Sequence, residues 1–147
     1  MNRKQHIVIG ATAGTAFNFF TATKENRQPT LAELFGSGVG GACGARVPDV
    51  LEPAIHPNHR KMAHSGAALV GCIGLTKSRP LTNAVTWLHQ QAAARRALMK
   101  LDPEREFIHQ LAAWLLEFLA GMIQALPVGY ASHLVADATT VKGIPLF

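Results

Sequence analysis

The chain has 147 residues, enough for one compact domain with a core and too few for two, so we treat residues 1–147 as a single domain. Apolar residues make up 48% and charged residues 16%, which excludes a disordered chain. A net charge of +5 is compatible with an anionic partner such as a phosphate ester, a nucleic acid or a lipid head group. Two cysteines are too few for a disulfide scaffold, so a reducing compartment is expected.

The amino terminus combines a basic start with an apolar run. Arg3 and Lys4 precede an apolar stretch over 7–20, a pattern that resembles a secretory signal peptide. Polar residues such as Thr15 interrupt the stretch, and no small-residue cleavage site follows it. We therefore expect a retained first helix over about residues 4–20.

A second helix is predicted from Thr30, which forms a capping-box pattern with Glu33. It continues into a glycine-rich segment over 36–45. This segment has no preceding β-strand and no Gly-Lys-Ser/Thr ending, so it does not fit a phosphate-binding loop. Glycine destabilises an isolated helix in water, and the segment therefore predicts close packing against neighbouring helices.

The remaining elements follow from proline, glycine and apolar periodicity. We expect a proline-broken loop over 48–61, helices over 64–75 and 81–100, a helix from 102 to 126, an interruption or kink at Pro127 and Gly129, and a last helical piece over 130–137. No segment alternates with the period of a strand. The predicted fold is all-α, a small bundle of about five to six helices around a metal-binding polar cluster.

The stretch over 107–126 approaches the roughly 20 residues that a membrane-spanning helix needs. It contains His109 and Glu117, however, and a glutamate in the middle of a span is costly. We therefore expect a buried core helix or an interfacial helix rather than a span.

Histidine spacing points to a metal site. His133 and Asp137 are four residues apart, so a helix would present both side chains on one face. His59 and His64 are five residues apart, across the predicted transition from loop to helix. By itself, each pair could be a hydrogen-bonded structural pair, and isolated histidines such as His89 are more typical of a surface or a satisfied core.

Two acidic residues, Asp49 and Glu52, precede these histidines in the same predicted loop, and His6 adds a further candidate ligand. Seven candidate ligands thus fall in three places, and no cysteine joins them. Imidazole and carboxylate ligands favour zinc or another divalent transition metal over a thiolate site. Alternatively, Asp49 has a purely structural role and caps the turn that follows it.

The motifs at 47–53 and 57–65, with Gly-Tyr-x-x-His-x-x-x-Asp-x-x-Thr at 129–140, resemble the LexA-binding, inner-membrane-associated family of metal-dependent hydrolases. A more distant similarity is to zinc-dependent phospholipase C and related nucleases. The resemblance implies the following metal ligands: His6, Asp49, His59, His64, His133 and Asp137. Glu52 is a further candidate ligand. Members are commonly predicted to span the membrane several times.

The leading hypothesis is a hydrolase that cleaves a phosphate ester or phosphodiester at two or three zinc ions. Asp49 is the expected bridging carboxylate, and Glu52 is either a ligand or the general base. Arg60 is the candidate phosphate clamp, with Thr140 and Lys142 as weaker candidates. Lipid, nucleic acid and nucleotide substrates all fit this chemistry.

Two other functions stay open at this level. One is a non-catalytic regulatory or interaction protein whose metal is structural, because a small glycine-rich domain can depend on a metal for folding. The other is a membrane-associated helical protein whose polar cluster binds no metal. The expected location is the cytoplasm or the cytoplasmic side of the inner membrane, and helices rich in small residues make a homodimer easy to form.

Overall fold

The computed structural model describes residues 3–52 and 63–139. The α-helices in these ranges are α1 (Arg3–Lys24), α2 (Leu31–Gly44), α3 (Val47–Leu51), α4 (Gly66–Thr76), α5 (Arg79–Leu101) and α6 (Glu106–Ala138). A short 3-10 turn, Pro103–Arg105, precedes α6. None of the described residues lies in a strand, so the predicted all-α fold is confirmed.

Helices α2 and α6 are parallel and touch through their backbones. Gly36, Gly40 and Gly44 lie four residues apart on the face of α2 that meets α6. A Cβ atom at any of the three would overlap a backbone carbonyl of α6, at Gly40 that of Met122. Small residues at this spacing let two helices approach closely, so the packing that the glycine-rich segment predicts is confirmed.

Helix α1 runs antiparallel to α2 and lies on the same glycine-rich surface. A Cβ atom at Gly10 would overlap the carbonyl of Gly41, and Gly14 faces the backbone of Ser37. On α6, Gly129 also lies against the backbone of Gly41. Three helices therefore meet around Gly41 with only backbone between them.

Helices α5 and α4 pack one after the other along the remaining side of α6. Helix α5 packs against the first half of α6, where Val85 and Leu88 surround Ala120. Helix α4 covers the second half, and the Tyr130 hydroxyl donates a hydrogen bond to the Ala63 carbonyl just before α4, at 2.7 Å.

Two sequence-based expectations about local structure are wrong. Helix α6 continues through Pro127 and Gly129, because Gly129 serves the contact with Gly41 rather than ending the helix. The loop expected over 48–61 begins as the short helix α3, in which Pro48 occupies a first-turn position that needs no N–H donor. The expected cap is confirmed: the Thr30 hydroxyl accepts a hydrogen bond from the Glu33 amide at 3.2 Å.

Polar and apolar side chains are distributed in the reverse of the usual pattern. The interior consists mostly of alanine, glycine and polar residues, and large hydrophobic side chains are exposed on the outside. The exposed residues include Phe20, Phe35, Ile73, Phe107 and Leu111. A protein in water seldom exposes apolar surface on so many helices, so this surface needs an apolar environment.

Candidate metal centre

Histidine and carboxylate side chains converge at one end of the bundle. His6 comes from the first turns of α1, His64 precedes α4, and His133 and Asp137 lie one turn apart near the end of α6. These four residues are 4%, 1%, 1% and 2% exposed, respectively. Asp49 of α3 completes the cluster from the side and is about half exposed.

Two overlapping groups of three could each hold a metal ion. The first is His6, His133 and Asp137, and the second is Asp49, His64 and His133. Within each group, one ligand atom per residue lies within 4.8 Å of the others. His133 belongs to both groups.

The nitrogen–oxygen distances inside the cluster run from 3.4 to 3.9 Å. His6 Nε2 lies 3.4 Å from Asp137 Oδ1, and Asp137 Oδ2 lies 3.5 Å from His133 Nε2 and 3.9 Å from His64 Nε2. Asp49 Oδ1 lies 3.5 Å from His64 Nε2 and 3.6 Å from His133 Nε2. Asp137 thus directs one oxygen to His6 and the other to His133 and His64, and the bridging role of Asp49 stays a prediction.

These separations fit donor atoms around a shared cation better than hydrogen bonds. Nitrogen–oxygen hydrogen bonds usually measure about 2.7–3.2 Å. Donor atoms at about 2.0–2.2 Å from a tetrahedral zinc ion lie roughly 3.3–3.6 Å from one another. The donor set could therefore hold a metal ion.

A backbone carbonyl orients the central histidine. His133 Nδ1 lies 2.7 Å from the Ala45 carbonyl at the end of α2 and donates a hydrogen bond to it. This bond leaves Nε2 as the ring nitrogen with a lone pair, directed into the cluster. His133 Nε2 and His6 Nδ1 are buried and make no hydrogen bond. The two imidazole rings stack with centroids 4.0 Å apart.

Glu52 lies behind His64 rather than between the histidines. Its Oε2 atom is 3.2 Å from His64 Nδ1, whereas His64 Nε2 faces Asp49. A carboxylate on the outer nitrogen of a metal-binding histidine fixes the ring orientation and raises its basicity. The structure thus gives Glu52 the position of a residue that orients a ligand.

The structure does not bring all the sequence candidates together. His59, Arg60, Thr140 and Lys142 lie outside the described residues. His89 and His109, for which no ligand role was predicted, lie away from the cluster. His89 Nε2 is 3.3 Å from Glu33 Oε1, and His109 Nε2 is 3.9 Å from Asp102 Oδ2.

Sequence reasoning missed a second buried polar network, farther along the bundle. The Asn18 amide donates hydrogen bonds to Glu33 at 3.0 Å and to Gln124 at 2.6 Å. The Arg27 guanidinium donates to both oxygens of Glu33 at 2.8 Å. Burial lowers the pKa of Arg27, but its hydrogen bonds to Glu33 and Glu25 outweigh burial and leave the pKa raised.

A signal for this network was present in the sequence. His6, Gly10, Gly14 and Asn18 follow one another at intervals of four and form one buried face of α1. A polar residue that continues a stripe of small residues is expected to face a neighbouring helix. As a polar residue within the apolar stretch over 7–20, Asn18 by itself is expected only to interrupt that stretch.

Helix α6 combines a central position with the length of a membrane span. The segment Pro103–Ala138 contains an 18-residue window with a mean hydropathy of 1.6, of which 33% is buried. Glu117 within it is neutralised by Arg96, with contacts of 2.6 and 2.7 Å, and accepts a hydrogen bond from Thr30 at 2.9 Å. The pairing with Arg96 therefore reduces the free-energy cost of placing Glu117 in a membrane-spanning helix.

The apolar exterior, the long apolar helix and the buried cluster define a membrane-associated helical protein with residues that could hold a metal ion. The family comparison agrees with this class. The model of the YdjM inner membrane protein family matches residues 1–147, and the chain belongs to this family. No curated protein and no solved structure matches the chain. The inner-membrane part of the expected resemblance is thereby confirmed.

Proposed function

We propose that this inner membrane protein is a metal-dependent hydrolase of a phosphate ester. The observation that carries the proposal is the convergence of His6, His64, His133 and Asp137 in the interior, with Asp49 at its edge. The buried Nε2 atom of His133, which faces the cluster and makes no hydrogen bond, supports a missing ligand of positive charge. Nitrogen and oxygen donors favour zinc among the common divalent ions.

We assign the ligands to the two overlapping groups described above. His133 Nε2 has a single lone pair and can bind the ion of one group only, so the other group would have two ligands among the described residues. A bound zinc-type ion would supply a Lewis acid that lowers the pKa of water and stabilises charge on phosphoryl oxygens. Asp137 contributes one oxygen to each side of the cluster, and the Ala45 carbonyl and Glu52 hold His133 and His64 in orientation. The expected phosphate-binding role of Arg60 stays a prediction.

The exposed face of the centre supports catalysis over a closed structural site. Asp49 has a side chain that is 47% exposed, whereas those of His64 and Asp137 are 1% and 3% exposed. A substrate can therefore approach on the Asp49 side. We expect this side to face the cytoplasm, because Arg3 and Lys4 lie one turn before His6 and basic residues are retained there.

The burial of the other ligands favours a second candidate function, in which the metal is structural and the protein acts through interactions. A fully saturated site would bind metal without catalysis. In that case metal removal mainly destabilises the fold, because metal-binding energy is folding energy.

Metal content and hydrolysis together test the proposal. Protein purified in detergent without chelator is expected to carry two zinc ions per chain by elemental analysis and to hydrolyse a phosphodiester. Asp137→Asn removes the charge that offsets the cation, and should lose zinc and activity while remaining helical by circular dichroism. Asp102→Asn is the matched control, since Asp102 lies outside the cluster.

The outcomes separate the candidates. Wild-type protein without stoichiometric metal contradicts both metal-dependent functions. Zinc-loaded protein that hydrolyses no phosphodiester in a broad screen, combined with an unfolded Asp137→Asn variant, favours the structural metal. A folded, zinc-poor and inactive variant beside an active wild type supports the hydrolase.

A further inference from the structure

An apolar groove runs along the bundle between α1, α4 and α6. Its volume is about 510 Å³. Ile9 forms the α1 wall, Leu69 and Ile73 form the α4 wall, and Val128 and Val135 form the α6 wall. Neither the metal centre nor the buried polar network uses these residues.

The groove begins beside the metal centre on every wall. Ile9 follows His6 by three residues in α1, and Leu69 follows His64 by five residues at the start of α4. On α6, Ala136 lines the groove and directly precedes Asp137. From there the groove leads away from the cluster, because α1 and α4 run in the opposite direction to α6.

The lining presents hydrocarbon and no charge. Its two hydroxyl side chains on α6 are already used within the helix. Ser132 Oγ donates to the Gly129 carbonyl at 2.8 Å, and Thr139 Oγ1 donates to the Ala136 carbonyl at 2.7 Å. A nucleotide or a nucleic acid has no polar partner here, whereas an alkyl chain fits such a surface.

The groove is continuous with the outer apolar surface of the bundle. Ile9, Ile73 and Val135 line it and are 37%, 51% and 53% exposed. Because the chain belongs to an inner membrane protein family, this surface is the one that meets lipid. An alkyl chain can therefore enter sideways from the bilayer without crossing water.

We propose that the groove binds an acyl chain of a membrane phospholipid and thereby makes a phospholipid the substrate of the metal centre. This inference rests on the proposed hydrolase function. The phosphate would lie at the Asp49 side of the centre while one acyl chain extends between α4 and α6. In the reaction, water adds its oxygen to phosphorus, one ester P–O bond breaks, and the departing alcohol takes a proton.

Photocrosslinking tests the occupant of the groove without requiring activity. The protein is reconstituted into vesicles of phosphatidylethanolamine and phosphatidylglycerol in equal amounts, with a trace of phosphatidylglycerol that carries a diazirine in its acyl chain. Mass spectrometry should find adducts on the α1 and α4 walls, around Ile9 and Leu69. Adducts spread evenly over the outer apolar surface overturn the proposal.

Filling the groove should displace the chain. Ala131 lines the groove, and Ala131→Phe is expected to remove most of the groove adducts, because its ring occupies space that the acyl chain would fill. Ala94→Phe, at an exposed alanine of α5, is the matched control and should leave them unchanged. Ile73→Gln, at the open edge, makes the groove polar without adding bulk, and should act like Ala131→Phe even if the latter folds poorly.

Hydrolysis of two substrates separates this inference from the hydrolase proposal. Ala131→Phe should lower turnover of phosphatidylglycerol by a clearly larger factor than turnover of water-soluble bis(p-nitrophenyl) phosphate. Equal losses for both substrates overturn the assignment of phospholipid as substrate. If wild-type protein hydrolyses neither compound while the adducts stay in the groove, the hydrolase function fails and the acyl-chain site stands.

Discussion

Replacing Gly129 with alanine tests how the helix packing supports the metal centre. The added Cβ atom would overlap the carbonyl of Gly41, and the next two nearest atoms also belong to the Gly41 backbone, so no flexible side chain can move aside. Helices α2 and α6 must then separate. Overpacking of this kind costs about 1–3 kcal/mol.

Gly71→Ala is the matched control. It is the same substitution within a helix, but nothing lies within 4 Å of the position that the new Cβ would occupy. Alanine favours a helix over glycine by about 1 kcal/mol, so this variant should be slightly more stable than the wild type. Gly129→Ala gains the same helix preference, so the two variants should differ in free energy of unfolding by the overpacking cost alone, about 1–3 kcal/mol.

The same substitution should weaken zinc binding. His133 follows Gly129 by four residues, and Ala45, whose carbonyl accepts its hydrogen bond at 2.7 Å, follows Gly41 by four. Separation of the helices at Gly129 therefore lengthens this bond and releases the ring, a change that typically lowers metal affinity about 10- to 100-fold.

Thermal unfolding in detergent, followed by circular dichroism, and zinc titration measure the two effects. Equal stability of Gly129→Ala and Gly71→Ala would refute the backbone contact between α2 and α6. Unchanged zinc affinity in a destabilised Gly129→Ala variant would refute the link between packing and the centre.

Three further predictions concern the centre and the buried charges. Glu52→Gln should lower zinc affinity about tenfold in a competition titration, because a neutral amide polarises His64 less; an unchanged affinity would contradict its orienting role. Intact-mass measurement should find His6 in the mature chain, and loss of about the first 20 residues would instead indicate a signal peptide. Arg96→Met should lower the free energy of unfolding by about 1–3 kcal/mol, less than for a fully buried pair because Arg96 is half exposed; no loss would show that Glu117 does not need its partner.

Spacing along a single helix made part of the cluster predictable from the sequence. His133 and Asp137 are four residues apart, and any continuous helix places them together. The glycine-rich segment likewise predicted close helix packing, because glycines at intervals of four are costly in a helix unless a neighbour occupies the space. What the sequence did not show is the partner, since the pairing of α2 with α6 joins residues about 80 positions apart.

One incorrect expectation arose where a residue type has two physical uses. Gly129 predicts a helix break, whereas its lack of a side chain serves a backbone contact with Gly41. The expectation of a core or interfacial helix over 107–126, for which Glu117 argues, stays a prediction. Pairing with Arg96 of α5, 21 positions away, lowers the cost of burying that glutamate. Both contacts are tertiary, and no local pattern encodes them.

Close packing and metal binding depend on the same geometry in this bundle. Ordinary helix pairs lie about 8–10 Å apart, a distance that side chains at the contact set. Around Gly41 three helices meet with backbone alone, and one turn farther along, the rings of His6 and His133 are 4.0 Å apart. Without a bound cation, the buried His133 Nε2 atom costs about 1–3 kcal/mol as an unsatisfied polar group. In the proposed centre a cation would offset that cost near the point where the backbones are closest. The glycines would then bring the ligands together, and the ion would stabilise the contact that the glycines permit.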